Sequence, residues 1–446
     1  MSTSRRDFIV SAGALAACTA CGDPEDTGAG AGTGGPEPDH PWAPEGPVDE
    51  TAFARGVVVG DASPSGALVS VWSDEPVVDL LLARATDQGW EQVSEWRALE
   101  TDGGWIQQEL TDLPADTSWS VVAVAAGSDR RSAATRFRTA LAPGTQRVLR
   151  FGATSCLGGQ EPWPVLSRAA EHRFDFYCLL GDTIYNDWGD DTGPQAKWAA
   201  ALAQPGFRDL AASTSLIATW DDHEVDNNWR PDDTDPALVD DALAAFRQAV
   251  PQRRGPDGTS LWRQLSWGAT ADVFVLDCRG ERSGDDYLSD AQLQWLIDGI
   301  TTSTAFFKIV LNSVPITDWR ASIGDIQAED RWQGHPEQRQ ALLAAIAGTP
   351  GVLWLTGDFH FGALARVDPE DGHGWDMWEV QCGPGGSPIL DYVDLIQTHE
   401  QIPTLIKTWN TVCFEADPDR GTVLVTFLDG DGAVLDQSLL TPAPPR

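Results

Sequence analysis

Basic residues are scarce in this chain of 446 residues, which has 30 lysines and arginines against 67 aspartates and glutamates. The resulting formal net charge of −37 repels nucleic acid and anionic membrane surfaces. We therefore expect no nucleic-acid binding through a basic face. An anionic small molecule would need a locally positive site, and a bound metal ion would supply that charge.

Cysteine is also sparse, with seven residues in the whole chain. Cys18 and Cys21 lie near the N-terminus, and the other five are scattered without a Cys-x-x-Cys pair among them. This spacing excludes a disulfide framework of the kind that holds small secreted domains together. At most two bridges can form among the five, so at least one thiol is left free or binds metal.

Apolar runs long enough to span a bilayer are absent. The stretch 9–17 is too short for a membrane-spanning helix, and it follows the pair Arg5-Arg6. Residues 1–21 are therefore predicted to be a twin-arginine export segment. Leu15–Cys18 resembles a lipobox, which predicts a lipid anchor at Cys18 as the protein's only membrane contact; cleavage near Cys21 without lipidation is the alternative. Both predict a periplasmic or extracellular protein.

Composition divides the remaining sequence into three parts. Residues 22–50 are rich in Gly, Pro and acidic residues, which is typical of a disordered tether. Residues 51–142 contain short alternating apolar runs punctuated by Gly, Pro and Asp, which predict a small antiparallel β-sandwich. Residues 146–442 alternate buried-strand runs with helix-period segments, including one that Ser289 would cap, and they predict a layered α/β domain.

The densest group of potential metal ligands is the decapeptide Trp220–Trp229, Trp-Asp-Asp-His-Glu-Val-Asp-Asn-Asn-Trp. It contains four carboxylates, one imidazole and two amides, and no basic residue follows until Arg230. Carboxylates this close disfavour each other's ionised forms. A metal ion bound by these oxygen and nitrogen ligands would relieve that repulsion. A solvated acidic loop is the alternative, but the flanking tryptophans and the apolar run before them favour a buried site.

Polar groups also follow the other predicted strands of the α/β domain. Ligands of open α/β sheets bind beyond the carboxyl ends of the strands, so these groups are expected to converge on one site. The six strand ends are Thr154–Cys156, Gly181–Tyr185, Asp221–Glu224, Asp277–Arg279, Asn312 and Gly357–His360.

Several of these side chains have a chemistry of their own. Cys156 offers a thiolate ligand or is a buried free thiol. The two oxygens of Asp182 suit a bridge between two cations. Tyr185 offers a phenolate ligand for ferric iron, or is a half-buried loop tyrosine.

Four further candidates stand at these strand ends. Asp358 and His360 are two residues apart, so in an extended segment both side chains face the same way. His223 is suited to be the general acid that protonates a leaving oxygen. Arg279 either holds two phosphate oxygens or pairs with a surface carboxylate.

Taken together, these motifs resemble the alkaline phosphatase D (PhoD-like) family of the calcineurin-like metallophosphoesterases. The resemblance covers nearly everything after the predicted tether and is most specific in the decapeptide. The segments that carry it are Thr154–Cys156, Gly181–Tyr185, Trp220–Trp229 and Gly357–His360, with Leu288–Leu296 and, in the sandwich, Gly56–Asp61.

The resemblance implies a four-layer core of two packed mixed sheets flanked by helices, preceded by a small β-sandwich. It also implies a site for Fe³⁺ and Ca²⁺, in which metal-activated hydroxide attacks phosphorus and His223 helps the leaving group depart. Iron would be bound by Cys156, Asp182 and Tyr185 with Asp358 close by. Calcium would be held with the help of Asp222 and His360, and Asp182 would bridge the two ions.

The function predicted on this basis is that of a secreted, monomeric phosphoesterase acting on small phosphate esters. Its substrates would be phosphomonoesters, phosphodiesters or both, and phosphate would be released. One alternative is a phospholipase D-like phosphodiesterase that acts on lipid head groups. Another is a catalytically decayed, metal-stabilised surface-binding protein, and the intact set of candidate ligands argues against it.

Overall fold

The computed structural model describes residues 38–442 apart from 160, 190, 191 and 326. The predicted export segment, its Cys18 anchor and residues 22–37 of the predicted tether lie outside the described residues. In the described part, no helix combines the length and apolar character needed to cross a membrane.

Strands dominate the fold. They are β1 (Val57–Ser63), β2 (Gly66–Trp72), β3 (Val77–Thr86), β4 (Gly89–Glu100), β5 (Trp105–Leu110), β6 (Ser118–Ala125), β7 (Thr135–Arg138), β8 (Leu149–Thr154), β9 (Phe176–Leu180), β10 (Leu216–Thr219), β11 (Arg263–Trp267), β12 (Ala271–Val275), β13 (Phe307–Asn312), β14 (Val352–Thr356), β15 (Gly362–Arg366), β16 (Trp378–Gln381), β17 (Thr404–Ile406), β18 (Thr411–Asp417), β19 (Thr422–Leu428) and β20 (Val434–Leu440).

The helices are short and lie between the strands of the α/β part. They are α1 (Pro164–Ala170), α2 (Pro194–Ala203), α3 (Pro205–Ser213), α4 (Pro236–Ala249), α5 (Asp290–Thr302), α6 (Arg320–Ile323) and α7 (Pro336–Ile346), with 3₁₀ turns at Ala328–Asp330, Trp332–Gly334 and Asp391–Leu395. The Ser289 hydroxyl caps α5, as predicted, by accepting a hydrogen bond from the backbone N–H of Gln292.

Two large mixed sheets form the centre of the protein. One has the order β20-β19-β18-β8-β9-β10-β1-β2-β5, and the other has the order β11-β12-β13-β14-β16-β15-β17. Strands β8, β9 and β10 run parallel in the first sheet, and β12, β13, β14 and β16 run parallel in the second. The carboxyl ends of these parallel strands position the candidate site.

The layers follow from the period-two alternation of buried strands. Phe176 and Cys178 of β9 face the second sheet and join the core between the sheets. Tyr177 and Leu179 point the opposite way and pack with the helices α1 to α4. On the outer face of the second sheet, α5 and α7 pack in the same manner. The result is a four-layer α/β core, in agreement with the predicted fold class.

The N-terminal sandwich shares a sheet with this core. Its second sheet, β4-β3-β6-β7, packs on β1 and β2 around a common apolar core. β1 continues into the first large sheet through one pairing position, Gly60 with Leu216. Glycine is required there, because a Cβ atom would lie 1.9 Å from the carbonyl oxygen of Pro251.

A buried ion pair also joins the sandwich to the α/β part. Nε and Nη2 of Arg263 in β11 donate to the two oxygens of Asp61 in β1, over 2.6 and 2.9 Å. Arg263 is 3% exposed and Asp61 is fully buried. Two strands that are distant in sequence are thereby held at a fixed separation.

Residues 38–50, the described part of the predicted disordered tether, include a segment that packs on the sandwich. Trp42 and Ala43 pack on the outer face of the sandwich beside Leu81 and Val122. The carbonyl oxygen of Trp42 also accepts a hydrogen bond from the Ser120 hydroxyl, over 2.6 Å. The polar composition of this stretch predicted disorder in spite of its one large apolar side chain, Trp42. The surface on which Trp42 packs exists only in the folded sandwich.

Candidate metal centre

Three candidate residues stand at strand ends in the left-handed backbone conformation. Cys156 has φ 56°, Asp182 has φ 54° and Asp358 has φ 63°. Side chains other than glycine rarely adopt this conformation, which costs on the order of 1–3 kcal/mol each and is retained mainly at functional sites. Each sharp turn directs a ligand atom into the space beyond the sheets.

The first group of potential ligands combines a thiol, a carboxylate and an imidazole. One ligand atom each from Cys156, Asp182 and His360 lies within 4.8 Å of the others, and all three residues are buried. The Tyr185 hydroxyl lies 3.3 Å from Oδ2 of Asp182 and 3.3 Å from Nε2 of His360. These four predicted ligands therefore surround one small volume.

His360 is held in a form that suits a ligand. Its Nδ1 lies 2.8 Å from the carbonyl oxygen of Pro388, which can only accept a hydrogen bond. The proton therefore belongs on Nδ1, and the lone pair of Nε2 faces the group. Burial lowers the pKa of His360 to about 4, so the imidazole is neutral at ordinary pH.

The second and third groups contain mostly carboxylates. Asp182, Asp222 and His223 form one, and Asp221, Asp222 and Asp358 form the other, with the same 4.8 Å limit. Asp182 is shared by the first two groups and Asp222 by the last two. The three groups are therefore one continuous centre.

The electrostatics of this centre call for additional positive charge. Burial raises the pKa of Asp182 and of Asp358 well above the ordinary value, and neighbouring carboxylates raise both further. Burial also raises the pKa of Asp222, but Arg279 and His223 outweigh it and bring the value to about 2. Oδ2 of Asp221 and Oδ1 of Asp222 are buried without a hydrogen-bond partner among the described residues. Buried acceptors are rarely left unpaired, so this donor set fits bound cations.

The structure separates Asp358 from His360, contrary to the expectation that both face the same way. Asp358 lies with Asp221 and Asp222, whereas His360 lies with Cys156 and Asp182. The reason is the backbone: the segment after β14 bends at the left-handed Asp358 and does not continue as a strand. The division implied by the resemblance, with Asp358 near iron and His360 near calcium, stays a prediction.

Arg279 is fully buried and pairs with carboxylates inside the protein, not at its surface. Its Nε donates to Oδ1 of Asp221 over 2.6 Å, and its Nη1 donates to Asp330. Nη2 lies 3.7 Å from Oδ1 of Asp222 and makes no hydrogen bond within the described chain. One nitrogen thus remains for a further acceptor, and the predicted bidentate grip on phosphate stays a prediction.

Asp187 and Glu224 were not assigned roles from the sequence. Oδ1 of Asp187 lies 2.8 Å from Nδ1 of His223, which fixes the orientation of that ring. Glu224 accepts hydrogen bonds from the backbone N–H groups of Asp182, Thr183 and Asp221, over 3.0, 2.7 and 2.9 Å. Glu224 therefore ties the two acidic loops together. The position of Glu224 within the decapeptide indicated a role at the site. Nothing in the sequence distinguishes Asp187 from other loop aspartates.

The glycine-rich loop Cys382–Ser387 forms a wall of the centre. Its Ser387 hydroxyl lies 2.7 Å from the Tyr185 hydroxyl. The backbone N–H groups of Gly386 and Ser387 donate to the carbonyl oxygen of Cys156, over 3.0 and 2.9 Å. These contacts place the loop against two predicted ligands.

The neighbours of His360 and the rest of the decapeptide have simpler surroundings. Phe359 and Phe361 are buried in a separate apolar cluster with Trp319 and do not form the rim of the site. In the decapeptide, the backbone N–H of Asn228 donates to Oδ2 of Asp222 over 2.7 Å. Asp226 is exposed.

The chain is similar to known proteins in both sequence and structure. The sequence profile of the family described as PhoD-like phosphatase matches residues 151–432, more than half of the chain. Alkaline phosphatase D of Bacillus subtilis (strain 168) is 26% identical over 43% of this chain and 42% of its own length. The match therefore spans less than half of that relative.

Two solved structures share the fold. The structure of PhoD has a TM-score of 0.71 at 18% identity and covers 90% of this chain and 95% of its own. The purple acid phosphatase PPD1 from yellow lupin (Lupinus luteus) seeds has a TM-score of 0.64 at 14% identity and covers 86% and 73%. At these identities the likeness concerns the fold alone.

Proposed function

This chain belongs to the PhoD-like phosphatase family, and from that premise we propose that it is a metal-dependent phosphoesterase. It hydrolyses phosphomonoesters, phosphodiesters or both, and releases phosphate. The observation that carries the proposal is the position of Asp182, which is shared by two adjacent groups of buried ligand atoms. A carboxylate in that position is suited to bridging two cations in a phosphoesterase site.

The two sides of the centre differ in the cation they suit. Thiol, phenol and imidazole donors at Cys156, Tyr185 and His360 favour a transition metal, and we assign Fe³⁺ to them. The carboxylates of Asp222 and Asp358 favour a hard cation, and we assign Ca²⁺ to that side. When bound, the cations supply the positive charge that stabilises the phosphoryl oxygens and activates water as the nucleophile.

The chain's own residues perform the remaining tasks. His223, oriented by Asp187, donates a proton to the leaving oxygen. Arg279 holds Asp221 in place through Nε and directs Nη2 toward the centre, where a phosphate oxygen is the acceptor it lacks. His223 and Arg279 are buried, which strengthens their interactions because little water is present to screen them.

We further propose that the protein acts as a monomer on small phosphate esters and is exported by the twin-arginine route. The export route rests on Arg5-Arg6 and on the lipobox-like sequence before Cys18, and the preference for small esters rests on the net charge, which disfavours polyanionic partners. Mass determination of the mature protein from membranes of the producing cell tests the lipid anchor.

The function is tested with protein that has been exported by its own route and analysed for metal. Release of phenol is measured from an aryl phosphate and a bis-aryl phosphate, with calcium present, after chelation and after re-addition. We expect hydrolysis of at least one ester, lost on chelation and restored by metal. Metal-loaded protein that hydrolyses neither ester would overturn the proposal and favour a surface-binding role. Faster turnover of lipid head-group diesters than of both aryl esters would favour the phospholipase-like alternative.

A further inference from the structure

One tryptophan stands apart from the others in this chain. Of the 20 tryptophans, all of which lie within the described residues, Trp188 is the one that is exposed, with 41% of its surface accessible. Tryptophan is a large apolar side chain, and burying its surface contributes strongly to folding. An exposed one beside the candidate metal centre therefore points to a binding role.

Trp188 belongs to a cluster of three rings at the centre. Its ring lies 4.2 Å from that of Tyr185 and 5.4 Å from that of His223, measured between centroids, and it meets the His223 ring edge-on at 65°. The rings of Tyr185 and His223 are themselves stacked at 4.1 Å. The indole therefore borders the proposed proton donor and one proposed metal ligand.

The position of Trp188 is fixed from several sides. It directly follows Asp187, whose carboxylate holds His223. Its backbone N–H donates to the carbonyl oxygen of Tyr185, and its own carbonyl oxygen accepts a hydrogen bond from Nζ of Lys197 in α2. An indole held in this way offers its open surface at little cost in conformational entropy.

We propose that Trp188 is the platform for the leaving group and that the site prefers phosphate esters with a flat aromatic leaving group. This inference rests on the proposed function, because it takes His223 as the donor to the leaving oxygen. A group attached to that oxygen lies on the His223 side of the centre, which the Trp188 ring borders. An aromatic ring packs on an indole by stacking, whereas a short alkyl group covers little of it.

Charge supports the same substrate class. The chain carries a net charge of −37, and Asp187 and Asp222 flank His223. An anionic leaving group would be repelled on this side of the centre. A neutral aromatic group avoids that repulsion and gains apolar contact.

The test compares two esters and three variants. The values of kcat and KM are measured for 2-naphthyl and ethyl esters, using the monoester or diester type that the wild type hydrolyses faster. For each ester, the kcat/KM of the variant is divided by that of the wild type. This ratio cancels the intrinsic reactivity of the two leaving groups. We expect W188A to lose roughly 10- to 100-fold in kcat/KM on the naphthyl ester, mainly through KM, and less than about 3-fold on the ethyl ester. W188F is expected to retain most of the preference.

The matched control is W90A, which removes a half-buried indole from the N-terminal sandwich and should leave both ratios unchanged. Metal content and melting temperature are recorded for every variant. An equal loss on both esters, or loss of bound metal in W188A, would show that Trp188 only supports Tyr185, and would overturn the inference while the proposed function stands. A wild type inactive on both esters would instead remove the proposed function and this inference with it.

Discussion

Oδ1 of Asp187 lies 2.8 Å from Nδ1 of His223, and the two side chains are only 12% and 9% exposed. Burial lowers the pKa of His223, but the hydrogen bond to Asp187 and the charge of Asp222 raise it by more, so that the net shift is upward. Asp187 thus favours the protonated ring and fixes its orientation. Both effects serve a residue that donates a proton to a leaving oxygen.

Replacing this donor should therefore harm poor leaving groups most. We expect H223N to lower kcat by roughly 10²- to 10⁴-fold for a phenyl ester and much less for a 4-nitrophenyl ester, whose leaving group needs little protonation. Steady-state rates on the two esters measure the difference. Equal losses on both would contradict the proton-donor role.

The partner residue should act only through His223. D187N is expected to produce a smaller loss than H223N, with the same dependence on the leaving group. In the H223N background, D187N should add nothing, because residues that act as a unit are not additive. Additive losses in this double-mutant cycle would show that Asp187 has a separate role.

Asp182 should be indispensable for metal binding because it belongs to two of the three ligand groups. We expect D182A to lose both bound metal and activity, measured by elemental analysis and turnover. D226A is the matched control, since it removes an exposed carboxylate from the same acidic decapeptide and should keep both. Retained activity in D182A would refute the bridging role.

The buried pair of Asp61 and Arg263 should contribute to stability and not to chemistry. Removing one partner leaves the other buried and unpaired, so D61A should lower the free energy of unfolding by about 3–5 kcal/mol. E91A breaks the exposed pair of Arg84 and Glu91 in the same sandwich and should cost about 0–1 kcal/mol. Denaturant unfolding measures the loss in free energy of unfolding for each variant. Similar losses in D61A and E91A would mean that burial of Asp61 is unimportant.

His172 provides a prediction for pH dependence away from the metal centre. Burial lowers its pKa below the ordinary value of 6.5, and its ring stacks on Phe174 at 5.5 Å. The unfolded chain therefore takes up the proton more readily, and stability is lost as pH falls through 6.5 toward the lowered pKa. We expect the melting temperature of the wild type to drop relative to that of H172F between pH 7.5 and 5.5. Melting temperatures that change equally with pH in the two proteins would contradict the lowered pKa of His172.

Local rules were enough for the parallel strands β8, β9, β10, β12, β13 and β14 and for the polar residues that follow them. The alternation of Phe176 and Tyr177 is visible in the sequence, because neighbouring side chains of any strand point to opposite faces. Such rules do not indicate β4, which lies at a sheet edge and carries charges on its exposed face in place of an apolar pattern.

Local sequence patterns did not predict the contacts between loops that are distant in sequence. The divergence of Asp358 and His360 depends on one left-handed residue, which spacing does not reveal. Arg279 was expected at phosphate or at the surface, and its burial between Asp221 and Asp330 depends on how three loops pack.

By itself, the sequence determined the layered α/β class, the family resemblance and the set of candidate ligands, because alternation and residue type are local properties. Only the tertiary structure decided how those ligands divide, that Asp187 orients His223 and that Trp188 stays open beside it. These depend on the directions in which the loops leave the strands, and packing across the two sheets sets those directions.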